Sequence, residues 1–308
     1  MSYIATTLEG LEPITEKEVK GKTILPGKVK CTSLPKSTNT IEQLYELLDH
    51  ITFKSLEDIT NNLKILSKLK EKTYNLVCNR EGKHSFKSID VQIKVAEVLR
   101  KNKIVVDFKI KDPTLYIDIK DKDCLVGILI KKDCQKRMYR VKLVADTLPP
   151  LIAHAAVLCA KLKKQETLLD PFTTDGIIGI EAALVKDVKV FGFGKNTRNA
   201  RINAKVAKVN LELGEYDLDW LDTKFDKKSC TIITYLPSPS KTKAESMIKS
   251  LYTEFFHQAD FIVKERMVLV VRRLELLEEF LTHFKKEAHF TVKSGDNTYH
   301  ILALKKTI

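Results

Sequence analysis

Residues 168–183 read LLDPFTTDGIIGIEAA, and residues 231–238 read TIITYLPS. The first stretch predicts a buried strand, a tight turn and the opening of a helix, and the second predicts an apolar strand ending in a short Pro-containing loop. A third strand is predicted between them at 188–192. In doubly wound α/β sheets, ligands bind beyond the carboxyl ends of the strands. The two stretches therefore predict a nucleotide-type pocket at that edge of the sheet.

The second half of the chain alternates between strand and helix patterns. This alternation favours a parallel-rich sheet with crossover helices, and the last two segments resemble an antiparallel hairpin. The predicted helices are 151–162, 177–185, 200–209, 244–258 and 274–284, and the predicted strands are 167–170, 188–192, 231–234, 267–272, 290–294 and 299–305.

The first half predicts a smaller α+β module. Apolar residues at helical spacing predict helix within 40–70, and the order strand, helix, strand, strand follows up to residue 130. We therefore predict an N-terminal module over 1–132, a basic linker over 133–147 and a doubly wound domain over 148–308.

Composition narrows the class of protein. A chain of 308 residues is long enough for two domains. No apolar stretch approaches the roughly 20 residues that span a bilayer, and the N-terminus lacks the pattern of a signal peptide. The six cysteines form no CxxC pair, which argues against zinc and disulfides. We expect a cytoplasmic protein without membrane association or a metal site.

Positive charge is concentrated in one segment. The net charge is +13, and residues 80–142 carry 17 basic and 9 acidic side chains, a difference of +8. Such a local excess attracts phosphate backbones. A generally Lys-rich, solvated surface is the alternative that composition leaves open.

The quoted stretches resemble the S-adenosylmethionine-dependent RNA methyltransferases, whose motifs run DPFCGSG and later (D/N)PPY or NLPY. The segment 136–162, which begins KRMYR, and the helix NARINAKVAKV resemble further parts of that family. The resemblance implies a Rossmann-like methyltransferase domain, S-adenosylmethionine as cofactor and a tRNA guanine as target.

The segment 79–130 resembles the THUMP domain, with the match running over about 40–132 and a ferredoxin-like element at 3–13. THUMP proteins typically hold the single-stranded 3′ end of tRNA, so the resemblance implies tRNA as partner. Cationic side chains suit phosphate contacts. The candidate RNA-binding residues are Arg80, Lys83 and His84 in a short loop, with Lys136 and Arg137 further along the chain.

The cofactor motifs keep some family residues and change others. Asp170 and Gly176 match the first motif, but Thr174 and Asp175 replace its middle residues. A β-branched Thr is poorly suited to a positive φ, and the Asp175 carboxylate would repel the carboxylate of the cofactor. The acid that normally bonds both ribose hydroxyls is replaced by Gly194.

Other side chains can take over at the cofactor site. Asn196 is the candidate substitute for the ribose acid. Asp219 is the candidate beside the adenine, with Asp217 as an alternative, and a plain surface role for either acid stays open.

The catalytic loop departs most from the family. Tyr235 stands where an Asp or Asn accepts the target amine, and Ser238 stands where an aromatic residue stacks on the base. Pro237 preserves the shape of the loop. Tyr235 and Pro237 are the candidate catalytic residues, although a purely structural loop is the favoured interpretation, since alignment of the amine dominates this chemistry.

These departures lead to two functional hypotheses. The first is a tRNA-binding protein with a degenerate, non-catalytic pocket, acting in guanosine modification beside a partner modification enzyme. The alternative is an active tRNA guanine 2-amino methyltransferase with unusual motif residues. A thiolation or pseudouridylation enzyme would need an SGGxDS loop or a catalytic Asp motif, which the sequence lacks.

Overall fold

The computed structural model describes residues 1–307. The chain folds into two compact units. The first unit comprises 1–7 and 15–134, and the second comprises 8–14 and the segment from Gln135 onward. The predicted boundaries at 132 and 148, with a linker between them, stay a prediction. No helix within 1–307 is both long and apolar enough to cross a bilayer.

The first unit is built on a mixed sheet covered by helices. In the described residues its strand order is β2-β3-β1-β4-β8-β7-β5-β6. The strands are β1 Tyr3–Thr6, β2 Lys22–Leu25, β3 Lys28–Cys31, β4 Gln43–Thr52, β5 Thr73–Glu81, β6 Val105–Val106, β7 Thr114–Lys120 and β8 Asp123–Lys131. The helices are α1 Glu12–Val19, whose first three residues fall in the second unit, α2 Leu56–Asn61 and α3 Ser88–Lys101.

The helix expected within 40–70 is largely wrong, because Gln43–Thr52 forms a strand. Its pairing with β8 shifts register at Leu44/Tyr45 and again between Leu47 and Asp49. Each irregularity interrupts the alternation of a strand. The apolar residues consequently fall three or four apart, which is the spacing of a helix.

The second unit is a doubly wound sheet with the order β11-β10-β9-β12-β13-β15-β14 in the described residues. Strands β9 to β13 are parallel, whereas β14 and β15 form the expected antiparallel pair. The strands are β9 Thr167–Asp170, β10 Lys189–Phe193, β11 Glu212–Gly214, β12 Cys230–Tyr235, β13 Val263–Val271, β14 Phe284–Ser294 and β15 Asn297–Lys306. The helices are α4 Pro150–Ala160, α5 Ile177–Val185, α6 Arg198–Ala207, α7 Leu221–Lys224 and α8 Glu245–Ile262.

Both faces of this sheet are buried, as expected for parallel strands between helices. Along β13, Met267 and Leu269 pack with α8, whereas Val268 and Val270 pack on the opposite side with α4 and α5. Each fully buried side chain of this kind contributes about 1.5–3 kcal/mol. The two layers hold the strand ends in fixed positions. The fold class expected from the sequence, a mixed α/β chain with a Rossmann-like second half, is confirmed.

The helix expected at 274–284 is wrong. The chain makes two short 3₁₀ turns, Leu274–Leu276 and Glu278–Phe280, and enters β14 at Phe284. Leu276 and Leu277 are buried beneath these turns. They therefore pack in the core although the segment does not form a continuous helix.

Candidate active site

The strand order places the motif segments at one edge of the second unit. From β9 the chain proceeds outward to β10 and β11, then returns to add β12 on the other side of β9. The order therefore reverses between β9 and β12, where open α/β sheets bind their ligands. The carboxyl ends of β9, β10 and β12 bring the turn 171–176, the loop 194–197 and the loop 235–238 to this edge.

Asp170 links two of these strands through its buried carboxylate. Thr234 Oγ1 donates to its Oδ1 at 2.6 Å, and Thr173 Oγ1 donates to its Oδ2 at 2.7 Å. The Phe172 amide also donates to Oδ1, at 3.3 Å. Burial raises the pKa of Asp170 to about 6 despite these bonds. The structure thus places this predicted cofactor residue as a brace between β9, its turn and β12.

The turn after β9 depends on Gly176. This residue has a φ of +79°, and a Cβ there would lie 2.9 Å from the Ala200 Cβ, so glycine is required. Thr174 is not among the residues with positive φ. The expected conflict between Thr174 and a left-handed backbone therefore does not arise. The Thr173 amide, which donates to the Phe193 carbonyl at 2.7 Å, ties the turn to β10.

The negative charge of Asp175 is balanced by partners within the protein. Its Oδ2 accepts from Thr147 Oγ1 at 2.5 Å and from Arg140 Nη2 at 3.1 Å. Its Oδ1 accepts from the Ile177 amide at 3.4 Å, at the start of α5. The carboxylate is fully buried, and the Arg140 guanidinium compensates its charge. This pairing reduces the repulsion that we expected it to exert on a cofactor carboxylate.

A second buried carboxylate holds the segment before α4. Glu181 on α5 accepts from Arg137 Nε and Tyr139 Oη, both at 2.6 Å, and lies 2.7 Å from His154 Nδ1. These hydrogen bonds hold the pKa of Glu181 below its usual value although burial opposes them. The guanidinium of Arg137, expected to contact RNA, is thus engaged by Glu181, whereas Lys136 is exposed. Sequence reasoning identified neither Glu181 nor His154.

The position of the ribose acid is crowded. A Cβ on Gly194 would lie 2.1 Å from the Thr173 carbonyl oxygen, so a carboxylate cannot be added there without moving the turn. Asn196 is exposed, and its Oδ1 accepts from the Arg198 amide at 3.0 Å, which orders the loop before α6. Asp219 is exposed in the 3₁₀ turn Leu218–Trp220 that follows β11.

Asn196 and Asp219 still fit an adenosine-type cofactor. Compared with the family motif, the site lacks one anionic anchor, the ribose acid that Gly194 replaces. The Asn196 amide can exchange hydrogen bonds with ribose hydroxyls, and the Asp219 carboxylate can accept from an exocyclic amine. S-adenosylmethionine, when bound, would supply an electrophilic methyl group at this edge. The assignment of Asn196 and Asp219 to its ribose and adenine stays a prediction.

The catalytic loop is held by contacts on both sides. The Leu236 amide donates to the Val270 carbonyl at 2.9 Å, and Tyr252 Oη donates to the Pro237 carbonyl at 2.6 Å. Ser238 is buried, and its Oγ has no hydrogen-bond partner among the described residues. These contacts hold the backbone of the loop at Pro237, whose catalytic role stays a prediction.

Tyr235 itself faces another acid. Its phenol donates to Asp146 Oδ1 at 3.2 Å, and its ring lies 6.1 Å from that of Tyr299. Burial, together with the neighbouring Asp146 charge, raises the pKa of Tyr235 far above its usual value. The phenol is therefore neutral and donates its hydrogen to Asp146, which leaves only its oxygen lone pairs for a substrate amine, and these are weaker acceptors than those of a carboxylate.

In the first unit, the three predicted RNA-binding residues of the basic loop have different environments. His84 Nε2 donates to the Asp121 carbonyl at 2.6 Å, which leaves Nδ1 to accept from Arg80 Nη1 at 2.9 Å. Arg80 and His84 thus shape the loop, whereas Lys83 is exposed.

An aromatic cluster adjoins this basic loop. The His84 ring lies 5.1 Å from that of Phe86 and 5.8 Å from that of Phe53. Phe86 also packs partly buried against the core of the unit. An RNA role for Arg80, Lys83 and His84 stays a prediction.

Comparison with known proteins agrees with this architecture. A tRNA (guanine(6)-N2)-methyltransferase of Methanocaldococcus jannaschii is 26% identical and aligns over 96% of this chain and 97% of its own length. The crystal structure of TrmN from Thermus thermophilus covers 99% of both chains, with a TM-score of 0.81 and 21% identity. The structure of SMU.472, complexed with SAH, matches 100% of this chain and 98% of its own, with a TM-score of 0.78 and 14% identity. The structural matches establish the fold.

The family model for UPF0020, described as an RMKL-like methyltransferase domain, matches residues 137–300. This match covers more than half of the chain and includes the turn after β9, the loop after β10 and the catalytic loop. It confirms the methyltransferase resemblance inferred from the motifs, while the THUMP identity of the first unit stays a prediction. The chain belongs to the UPF0020 family of methyltransferase-domain proteins.

Proposed function

We propose that this chain acts on tRNA and transfers a methyl group from S-adenosylmethionine to the 2-amino group of a guanine. The observation that carries this proposal is the similarity over nearly the whole of both chains to the tRNA (guanine(6)-N2)-methyltransferase of M. jannaschii. The sheet edge supports it, because Gly176 permits the tight turn after β9 and the Tyr252 hydroxyl holds the loop at Pro237. A cytoplasmic location is part of this proposal.

The protein's own contribution to such a reaction is positioning. The hydrogen bonds of Asp170 and Glu181 fix the turn after β9 and the helix α5, so contacts within the protein define the cofactor edge. Holding two reactants in a productive geometry removes much of the entropic barrier to reaction. The basic loop at Lys83 would contribute affinity for phosphate groups.

A second candidate function is tRNA binding without methyl transfer, in support of a separate modification enzyme. Two local observations favour it. Gly194 has no room for the ribose acid, and position 235 carries a phenol that donates to Asp146 in place of a carboxylate or amide acceptor. Each removes a side chain on which the family's chemistry depends.

Methyl incorporation from radiolabelled S-adenosylmethionine into unmodified tRNA distinguishes the two candidates. Turnover by the purified protein, followed by identification of the product as N2-methylguanosine, supports the first. Tight tRNA binding in a filter assay without incorporation supports the second. A Tyr235→Phe variant, which keeps the ring and removes the hydroxyl, shows whether the phenol itself takes part.

A further inference from the structure

A carboxylate lies beside the catalytic loop in a place that the motifs do not specify. Asp146 Oδ1 accepts from the Tyr235 phenol at 3.2 Å, and Asp146 Oδ2 accepts from Arg272 Nη2 at 3.2 Å. Tyr235 ends β12 and Arg272 directly follows β13, so both donors lie at the carboxyl edge of the sheet. Two anchors from adjacent strands thus fix one carboxylate next to the loop.

Asp146 is also accessible. Its side chain is 55% exposed, whereas that of Arg272 is 29% exposed. An ionised carboxylate offers about four acceptor sites, and the two anchors engage one on each oxygen. A substrate N–H group can therefore approach the same carboxylate from solvent while the anchors keep it in place.

We propose that Asp146 accepts a hydrogen bond from the 2-amino group of the target guanine, in the role that an Asp or Asn at position 235 would otherwise fill. This inference rests on the proposed function, since it takes guanine as the target base. Tyr235 then acts as a positioning residue that orients Asp146. The neighbouring Arg272 pairs with the carboxylate and adds a donor for the acceptor atoms of the base.

The reaction balances with this assignment. The lone pair of the guanine N2 forms the new bond to the methyl carbon, while the bond between that carbon and sulfur breaks and sulfur keeps its electron pair. The surplus proton on N2 passes to the Asp146 carboxylate and from there to water. Asp146 directs the lone pair before the transfer and removes the proton after it.

Nucleotide discrimination tests this proposal without requiring turnover. GMP and IMP differ by the 2-amino group alone, and their affinities for the full chain can be measured by ligand-observed NMR titration. A hydrogen bond to a charged group changes affinity by roughly 10- to 150-fold. We expect wild-type protein to favour GMP by a factor in this range and Asp146→Ala to lose most of that preference.

The matched control is Asp187→Ala, which removes another exposed, ion-paired carboxylate that precedes β10 at the opposite edge of the sheet. It should keep the preference for GMP. Equal wild-type affinities for the two nucleotides, no detectable GMP binding, or an unchanged preference in Asp146→Ala would each overturn the proposal.

The methyl-incorporation assay separates failure of this inference from failure of the proposed function. If wild type and Asp146→Ala transfer methyl groups equally fast, the role of Asp146 is wrong and the proposed function stands. If neither protein transfers methyl groups but GMP discrimination depends on Asp146, the proposed function is wrong and guanine recognition by Asp146 stands.

Discussion

Replacing Asp170 with Asn tests whether this motif residue acts as a buried brace. Burial raises its pKa from 3.8 to about 6. Between these pH values the folded chain binds a proton that the unfolded chain has released. Stability falls with rising pH wherever the folded state binds more protons. The loss of stability caused by the buried charge is therefore absent below pH 3.8, the usual pKa, and complete above about pH 6.

The size of this effect follows from the shift. Each unit of pKa corresponds to 1.36 kcal/mol, so the carboxylate destabilises the second unit by about 3 kcal/mol at neutral pH. Asn carries no charge and can still exchange hydrogen bonds with Thr234 and Thr173. The free energy of unfolding of Asp170→Asn, relative to wild type, should therefore rise by up to about 3 kcal/mol between roughly pH 4 and pH 7.

Urea unfolding followed by tryptophan fluorescence measures this difference. The chain has one tryptophan, Trp220, and it lies in the second unit together with Asp170. Asp187→Asn, at an exposed carboxylate, controls for the chemical change itself. A difference between Asp170→Asn and wild type that stays constant across this pH range would refute the reasoning.

Three further outcomes are expected. Gly194→Asp should lower the free energy of unfolding by about 1–3 kcal/mol in urea titrations, because its Cβ would press on the Thr173 carbonyl; unchanged stability with tighter S-adenosylmethionine binding would contradict this. Glu181→Gln should cost about 3–5 kcal/mol in the same assay, since it removes one charge of the buried ion pair between Glu181 and Arg137. Lys83→Ala should reduce the magnitude of the salt slope of tRNA binding by about one without changing stability, and an unaltered slope would exclude it from the RNA contact.

Local patterns predicted the elements around the motifs well. The strand at 167–170 and the helix at 177–185 have the bounds that were expected, because an apolar run, a glycine turn and a second apolar run leave few alternatives there. Prediction failed where the spacing of apolar residues fitted both a helix and an irregular strand. Strand β4 follows a helical spacing because its register shifts twice, and sequence alone does not reveal such irregularities.

The contacts that organise the site join residues far apart in the chain. Arg137 and Glu181 are separated by 44 positions, Arg140 and Asp175 by 35, and Tyr235 and Asp146 by 89. No motif spacing relates the members of these pairs, so the contacts cannot be predicted from the sequence and are found only in the folded structure. The sequence contains one usable signal, the cluster of basic and acidic residues just before α4, which by itself predicts a linker.

The motif residues that this chain keeps do not by themselves distinguish its two candidate functions. Asp170 and Gly176 are needed for the turn after β9, and the Pro237 carbonyl accepts a bond that fixes the catalytic loop. A protein that only binds tRNA would need these contacts equally, because loss of the hydrogen bonds at Asp170, as opposed to loss of its charge, disturbs the fold. Side chains exposed at the carboxyl edge carry a smaller structural burden, since Asn196 and Asp146 make only local hydrogen bonds of their own. Loss of methyl transfer on their substitution, with stability and tRNA binding unchanged, is therefore the result that distinguishes the methyltransferase from the protein that only binds tRNA.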